Sequence, residues 1–513
     1  MDFWGWWLLF LVVGVILVRA EARARLKKAY QFQPENTLAG ARFADNGDLK
    51  RVGAFKGKGI RVGWSPDGKR PIYYKGSGHL LSVAAPRTGK GVSLLIPALL
   101  QWAHSCIVVD PKMELCAVTA HGRRRFGSVY VLDPFGMAAA LGVKGLRFVG
   151  FNPMADLDPD SPGFHSDCDK LAAACIPEQG GEGYHFSVAA LVLASGVTGA
   201  VARHGKPEEK NLATVARIIS GGKVLDFCRE VVSQTKDPDI IAKLGRFATD
   251  EARTSKEVAD VIATAVTQLG FISGAIAKHL SADTGLRWWK ELKTNPGTTV
   301  YSCVPLKRLD VCGDKYFRLF VETLMSSLLD ENQRGKPSPV LMLIDEFAQL
   351  GPRMKSIENA MGMAAGACGL QLWLVVQSIS QIVGMFPNSW SNLIQGCGAT
   401  MWFGARDHET RKVISDLAGV TEVMSRSRNV SRDPKNGVHF SDSMSQYARP
   451  LLHPYEAGQL PDDSMVLFME GVNGAVLAKR KPYFQCAEFK GRYRDNPYFQ
   501  KHGRGLAGWL FGK

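Results

Sequence analysis

The most informative stretch of the sequence is Ala84-Ala85-Pro86-Arg87-Thr88-Gly89-Lys90-Gly91. It lies between an apolar run at 80–84 and a largely apolar segment at 92–100, which is typical of a turn joining a buried strand to a helix. Backbone N–H groups in such a turn can hold phosphate, and a lysine can reach the terminal phosphates. Two positions depart from the general pattern, because Ala84 replaces a glycine and Gly91 replaces the hydroxyl residue that contacts Mg²⁺. Taken alone, the stretch fits a phosphate loop and an ordinary strand–turn–helix equally well.

A second stretch, Val340-Leu341-Met342-Leu343-Ile344-Asp345-Glu346, is an apolar run that ends in two carboxylates. At the tip of a buried strand, Asp345 can hold Mg²⁺ and Glu346 can polarise an attacking water molecule. A solvated acidic pair at a strand end is the alternative for this stretch alone. A phosphate loop followed by an acidic strand in one chain favours nucleotide hydrolysis.

The overall composition indicates a large globular protein with anionic partners. Its 513 residues correspond to about three domains. Hydrophobic residues make up 46% and charged residues 22%, which excludes an intrinsically disordered chain. The net charge of +15 favours nucleic acid or an anionic membrane surface as a partner, although a dispersed surplus of basic residues is the alternative. The ten cysteines form no Cys-x-x-Cys pair, so nothing signals a zinc ribbon, and a reducing compartment is expected.

The N-terminus predicts a membrane anchor. Residues 3–18 carry no charge and, as a helix, would span about 24 Å, somewhat less than the hydrocarbon core of a bilayer. Trp4, Trp6 and Trp7 lie at one end, as interface aromatics do, and a basic segment begins at Arg19. Positive charges after the apolar run place the remainder of the chain in the cytoplasm. We therefore expect a single-pass anchor, with a buried or interfacial helix as the alternative.

The chain after the anchor alternates short apolar runs with helical patterns, which predicts an α/β fold. Predicted strands are 60–64, 72–74, 80–84, 105–110, 128–133, 298–304, 340–345, 370–377 and 399–403, with a late hairpin at 464–469 and 474–478. The predicted divisions are an anchor (1–19), a basic juxtamembrane and entry segment (20–79), a first nucleotide-binding part (80–154), an all-helical insertion (155–295), a second nucleotide-binding part (296–490) and a short basic tail (491–513).

An ordered series of motifs extends this interpretation over nearly the whole chain from residue 38. The series is Gly40-Ala41-Arg42-Phe43-Ala44, residues 85–92, Asp110-Pro111-Lys112-Met113-Glu114, Asp133-Pro134-Phe135, Phe151-Asn152-Pro153, Asp345-Glu346-Phe347-Ala348, Gln377-Ser378, Asp407-His408-Glu409-Thr410 and Arg449-Pro450-Leu451-Leu452. In this order the motifs resemble the TraG-like type IV secretion and conjugation coupling proteins. That family also has Gly after the phosphate-loop Lys, so Gly91 does not depart from it. Met113 departs from the family motif, because the family has Gly at this position.

The resemblance implies a RecA-like P-loop ATPase at the bacterial inner membrane, forming a homohexamer that uses ATP and Mg²⁺. It implies DNA bound without sequence preference, relaxase or effector proteins, and type IV secretion components of the inner membrane as partners. Lys90, Asp345, Glu346 and Gln377 would be catalytic, with Asp345 as the metal ligand and Gln377 sensing the γ-phosphate. The phosphate cradle would comprise Ala85, Pro86, Arg87, Thr88, Gly89, Lys90, Gly91 and Val92.

Several assignments stay open at this level. The family commonly has two membrane helices, whereas this sequence shows one. An arginine reaching a neighbouring subunit could be Arg87, Arg353, Arg406 or Arg411. Asp110 could serve the nucleotide site or cap a helix. An FtsK-like translocase, a protein-docking receptor with secondary ATPase activity and an inactive scaffold are the alternative functions.

Basic clusters are the candidate DNA contacts, each with an ordinary solvated surface as the alternative. They are Arg123-Arg124-Arg125, the spaced arginines Arg426, Arg428 and Arg432, and Lys479-Arg480-Lys481. Basic residues in 19–75 could instead contact anionic lipid.

Overall fold

The computed structural model describes residues 40–177, 181–282, 284–308, 314–329, 338–351, 354–362, 369–433 and 437–499. The predicted anchor at 3–18 lies outside these residues. The chain divides into two compact units: Phe43–Ile414 with the segment from Pro454 onward, and Ser415–His453 with the segment ending at Arg42.

The larger unit is built on a mixed sheet. Its strands are β1 (Ile60–Trp64), β2 (Pro71–Tyr74), β3 (His79–Ala84), β4 (Ser105–Val109), β5 (Val129–Leu132), β6 (Thr299–Ser302), β7 (Val340–Ile344), β8 (Leu370–Val376), β9 (Cys397–Phe403), β12 (Ser464–Met469) and β13 (Val476–Lys479). The intervening strands β10 (Val420–Asp433) and β11 (Gly437–Pro450) belong to the smaller unit. In the described chain the order across the sheet is β2-β1-β13-β12-β9-β3-β8-β7-β4-β6-β5. Strands β9 through β5 in this order run parallel, and the four strands at the other edge pair antiparallel. The predicted α/β class and the predicted strands are confirmed.

The parallel strands are covered on both faces, which is why they read as continuous apolar runs. Strand β7 shows this, because all five of its residues are buried. Leu341 and Leu343 pack in one core cluster with residues such as Leu99 and Val118, whereas Met342 and Ile344 are buried outside that cluster. Since successive side chains of a strand point to opposite faces, both faces of the strand are packed.

The described residues also form α-helices. They are α1 (Asn46–Arg51), α2 (Ile96–Gln101), α3 (Glu114–Arg123), α4 (Met137–Ala140), α5 (Phe164–Cys175), α6 (Tyr184–His204), α7 (Leu212–Ser220), α8 (Val224–Gln234), α9 (Pro238–Leu244), α10 (Lys256–Leu269), α11 (Gly274–Leu280), α12 (Trp288–Lys293), α13 (Asp314–Leu329), α14 (Lys355–Gly362), α15 (Ile379–Met385), α16 (Trp390–Gln395), α17 (His408–Ala418) and α18 (Pro454–Ala457). The described part of 155–295 contains helices and turns without a strand. This is the element content expected of the insertion, whose boundaries stay a prediction.

Helix α6 is the most apolar long helix of the described chain. Its 21 residues have a mean hydropathy of 1.7, enough by length and composition to cross a membrane. However, 72% of its apolar window is buried inside the protein, where it packs against α5, α9 and α10. A second candidate, α10 followed by α11, bends by 85° at the break between the two helices. Helix α6 is therefore buried as a core helix is, and it is a different segment from the predicted anchor at 3–18.

The smaller unit is a long antiparallel hairpin of β10 (Val420–Asp433) and β11 (Gly437–Pro450). Fourteen residue pairs are in register, from Val420 opposite Pro450 to Asp433 opposite Gly437. Ala41 donates its backbone N–H to Val420 O at 2.9 Å, so the entry segment joins the base of the hairpin. The sequence analysis predicted no strand here. These serine-rich and arginine-rich sequences lack the apolar alternation by which strands are recognised.

Candidate nucleotide site

The loop after β3 has the geometry of an anion-binding turn. Arg87 and Gly89 adopt positive φ values of 62° and 79°, and Thr88 between them donates its hydroxyl to Ala85 O at 2.7 Å. The next helical segment begins with a π-helical turn, Gly91–Leu95, and continues as α2. Alternating left-handed and right-handed residues turn successive N–H groups into one concavity, which is how backbone binds phosphate. The stretch predicted as a phosphate loop therefore has a suitable backbone.

The two predicted carboxylates lie beside this loop. Lys90 Nζ is 2.9 Å from Asp345 Oδ1 and 3.0 Å from Glu346 Oε1. Both carboxylates are 6% exposed, and Glu346 has a left-handed backbone (φ 57°) that begins the 3₁₀ turn Phe347–Leu350. Three of the four predicted catalytic residues are therefore in direct contact.

The fourth, Gln377, reaches the same group because of the strand order. Strand β8 lies between β3 and β7, so its carboxyl end opens between the phosphate loop and the acidic pair. From there Gln377 donates its side-chain amide to Glu346 Oε2 at 2.7 Å. Its own backbone N–H is held by Gln381 Oε1 at 2.8 Å.

Lys112, to which the sequence analysis gave no role, completes the surroundings of Glu346. It comes from the turn after β4 and places Nζ 2.9 Å from Glu346 Oε1. Burial raises the pKa of Glu346, but Lys90, Lys112 and the Gln377 amide outweigh burial and lower it to about 2. Glu346 is therefore ionised at neutral pH and held by two ammonium groups.

Asp345 offers a fit for a divalent cation. Its Oδ1 is buried and makes no hydrogen bond to the described protein groups, although Lys90 lies at ion-pair distance. A carboxylate oxygen at a strand end beside a phosphate loop is a ligand that Mg²⁺ prefers. Of the predicted site residues, Asp345 is thus the one suited to hold the metal.

The turn between β4 and α3 brings a third acid to the site. Glu114 lies next to Gly91 of the phosphate loop: a Cβ added to Gly91 would be 3.7 Å from Glu114 Oε2. Burial raises the pKa of Glu114. Met113 adopts φ 56°, a conformation that Gly tolerates, so the turn keeps its backbone shape although Met replaces the Gly of the family motif.

Asp110 accepts hydrogen bonds from the N–H groups of Glu114 (3.2 Å) and Cys116 (2.8 Å). It therefore holds the start of α3, and burial raises its pKa to about 8.

The C-terminal segment packs against this turn. Asn496 donates to Glu114 Oε1 at 2.7 Å, and the Tyr498 hydroxyl donates to Lys112 O at 2.6 Å. Arg494 donates its backbone N–H to Val118 O at 3.0 Å. The described residues of the segment predicted as a short basic tail are therefore attached beside the site. No motif in the sequence marked them.

Two predicted DNA contacts are wrong, because the side chains face inward. Arg123 is fully buried and donates to carbonyl oxygens that include Leu99 O at 3.1 Å. Arg480 is 7% exposed and donates to Thr88 O in the phosphate loop at 2.7 Å. Its neighbour Lys479 pairs with Asp463 at 2.9 Å.

The four arginines considered for contact with a neighbouring subunit differ in their surroundings. Arg87 and Arg406 are exposed, after the carboxyl ends of β3 and β9. Arg411 donates to Ala405 O at 3.0 Å, and Arg353 lies outside the described residues.

Together, a phosphate-type loop and a lysine facing two carboxylates at the carboxyl edge of a parallel sheet define the class of α/β nucleoside triphosphatase cores. The chain belongs to the family described as type IV secretory system conjugative DNA transfer, whose model matches residues 21–502. The resemblance stated from the motifs is thereby confirmed.

Individual relatives are more distant. The chain is 25% identical to the conjugal transfer protein TraG of Escherichia coli, with 94% of this chain and 82% of the relative covered. It is 26% identical to the protein VirD4 of Agrobacterium fabrum over 79% of this chain, and it spans 58% of that relative's length.

Among solved structures, the plasmid coupling protein TrwB in complex with the ATP analogue ADPNP matches with a TM-score of 0.63 and 17% identity, covering 87% of this chain and 95% of that one. TrwB in complex with ADP and Mg²⁺ matches with a TM-score of 0.62 and 16% identity, covering 87% and 94%. These structural similarities support the α/β fold described above.

Proposed function

We propose that this protein is an inner-membrane coupling ATPase that recruits DNA, or relaxase–DNA and protein substrates, and drives them into a type IV secretion or conjugation channel. The observation that carries the proposal is the contact of Lys90 with both Asp345 and Glu346 beside the phosphate loop. The names of its relatives support the transport role, since TraG is a conjugal transfer protein and TrwB a conjugative coupling protein.

The chemistry follows from the residues that surround this contact. Residues 85–92 cradle the phosphates of ATP through their backbone N–H groups, except for Pro86, which has none, and Lys90 leaves the carboxylates to bind the β- and γ-phosphates. Asp345 would hold Mg²⁺, which when bound would neutralise charge on the terminal phosphates. Glu346 orients and polarises the attacking water, and Gln377 links its position to the presence of the γ-phosphate.

The wider assembly is proposed on the same basis. Residues 3–18 anchor the chain as a single-pass helix, and the RecA-like core with its helical insertion lies in the cytoplasm. A homohexameric ring would place basic residues around translocating DNA and hold its backbone without reading sequence. The net charge of +15 supports a polyanionic cargo. Type IV secretion components of the inner membrane would receive the cargo.

The test is ATP hydrolysis by the full-length protein in lipid nanodiscs, with and without single-stranded or double-stranded DNA. We expect DNA to stimulate the wild type, and Lys90→Ala and Glu346→Gln to abolish turnover. Lys256→Ala and Glu251→Gln, at exposed positions of the helical segment, are the matched controls. A wild type that stays inactive with DNA contradicts the DNA-pump proposal. Activation by a cargo protein alone would favour the docking receptor.

A further inference from the structure

A buried arginine lies behind the phosphate loop. Arg480 directly follows β13 and donates from Nη1 to Thr88 O at 2.7 Å and to Ser93 Oγ at 3.1 Å. Its remaining donors reach Ser464 O at 3.3 Å and Asp462 O, and its guanidinium carbon is 4.0 Å from the centre of the Phe403 ring. These contacts fix the guanidinium in position and orientation.

The contact with Thr88 O determines where an N–H group of the loop points. A peptide unit is planar and trans, so a carbonyl held toward Arg480 directs the N–H of the following residue, Gly89, the opposite way. The next peptide is held in the same manner, because Gly89 O accepts from Ser93 Oγ at 2.8 Å. The N–H of Lys90 is thereby oriented too. Arg480 and Ser93 are hydrogen-bonded to each other and orient two consecutive N–H groups of the loop.

The opposite side of the loop is equally constrained. Gly404, just after β9, adopts φ 63°, and a Cβ at this position would lie 2.3 Å from Thr88 Cγ2. The loop is therefore held between the end of β9 and the Arg480 guanidinium. Burial lowers the pKa of Arg480 to about 10, so its positive charge is present at neutral pH beneath the loop.

We propose that Arg480 is a positioning residue for nucleotide phosphates, acting through the Thr88–Gly89 peptide without touching the nucleotide. The inference rests on the proposed nucleotide binding. The ligand class is a nucleoside diphosphate or triphosphate, because the oriented N–H groups face the phosphate cradle and not a base or sugar. A neutral side chain at 480 would release Thr88 O and leave the N–H of Gly89 free to reorient, and it would remove the buried charge.

The experiment measures the dissociation constants of fluorescent ADP and ATP analogues, with Mg²⁺, for full-length protein in nanodiscs. The variants are Arg480→Gln, Arg480→Lys and Ser93→Ala, and the control is Lys479→Gln, which removes a neighbouring, half-buried charge that pairs with Asp463 and does not contact the loop. We expect Arg480→Gln to raise both constants by about tenfold, the size of one lost charge-assisted hydrogen bond. Arg480→Lys keeps the positive charge but loses the forked donors, so its dissociation constants should lie between those of wild type and Arg480→Gln.

Site counts and thermal unfolding separate positioning from a merely structural role. A structural role would lower the unfolding temperature and the number of binding sites per chain while leaving the dissociation constants unchanged, and that result overturns the inference. If Arg480→Gln does not fold, Ser93→Ala and Arg480→Lys decide the matter by the same criterion. A wild type that binds neither analogue would overturn the proposed function together with this inference. Normal wild-type binding with unchanged variants would overturn the inference alone.

Discussion

Replacement of Glu346 by glutamine should destabilise the nucleotide-free protein at neutral pH. Removing a catalytic acid often stabilises an enzyme, because active sites hold strained or crowded charges. Here the surroundings predict the reverse, since two lysines and an amide lower the pKa of Glu346 from 4.5 to about 2. At 1.36 kcal/mol per pKa unit, that difference corresponds to roughly 3 kcal/mol of stability at pH 7. Gln keeps the shape and tolerates the same left-handed backbone, so the comparison isolates the charge.

The sign of the pH dependence follows from the direction of the shift. A carboxyl group whose pKa is lower in the folded state stabilises the protein above its unfolded pKa. This contribution is lost as pH falls through the folded pKa. The gap between wild type and Glu346→Gln should therefore be largest at pH 7, about 1 kcal/mol smaller at pH 4, and reduced by more than half by pH 3.

Thermal unfolding followed by tryptophan fluorescence, without nucleotide, measures the effect. Glu346→Gln should unfold several degrees below wild type at pH 7, whereas the exposed control Glu251→Gln should not. Lys112→Met keeps the length of the side chain and removes its charge. Combined with Glu346→Gln, it should cost about 1–2 kcal/mol less than the sum of the single changes. A Glu346→Gln variant as stable as wild type, or a gap that does not change with pH, would refute the reasoning.

Three further changes probe the surroundings of the site. Asp110→Asn should gain stability relative to wild type as pH rises from 5 to 8 in thermal unfolding scans, because burial raises the pKa of Asp110 to about 8 and its ionisation opposes folding. Gly404→Ala should lower stability by about 1–3 kcal/mol through its clash with Thr88, and Thr88→Ser should recover part of that loss in a double-mutant cycle. Asn496→Ala should cost about 1–3 kcal/mol in denaturant unfolding by leaving the half-buried Glu114 short of a donor; unchanged stability would show that the C-terminal segment is only loosely attached.

The parallel strands could be predicted because burial on both faces requires a continuous run of apolar residues, which is visible in the sequence. Strands β7 and β8 consist almost wholly of large apolar residues, and their observed ends lie within one residue of the predicted ones. The hairpin of β10 and β11 could not be predicted in this way. Its sequence is rich in serine and arginine and shows no apolar alternation, which is the pattern that identifies a half-buried strand.

The residues of the candidate site also differ in whether their place could be predicted from the sequence. The proximity of Lys90, Asp345, Glu346 and Gln377 could be predicted because each stands at a strand end or in the loop after a strand, where parallel topology brings residues together. Arg480 could not, because a basic residue in a basic run is ordinarily solvated, and its burial depends on a segment almost 400 residues from the loop that it supports.

The contacts of Lys90 suggest how binding and catalysis would be connected under the proposed function. Lys90 Nζ lies about 3 Å from carboxylate oxygens of both Asp345 and Glu346 and, together with Lys112, lowers the pKa of Glu346 to about 2. When Lys90 turns to the phosphates, Glu346 loses one of its two ammonium partners but keeps Lys112 and Gln377. Its position is then preserved while burial raises its pKa toward the range in which a carboxylate polarises water effectively. Arrival of the phosphates would therefore activate the base that polarises the attacking water, and nucleotide release would return Lys90 to both carboxylates.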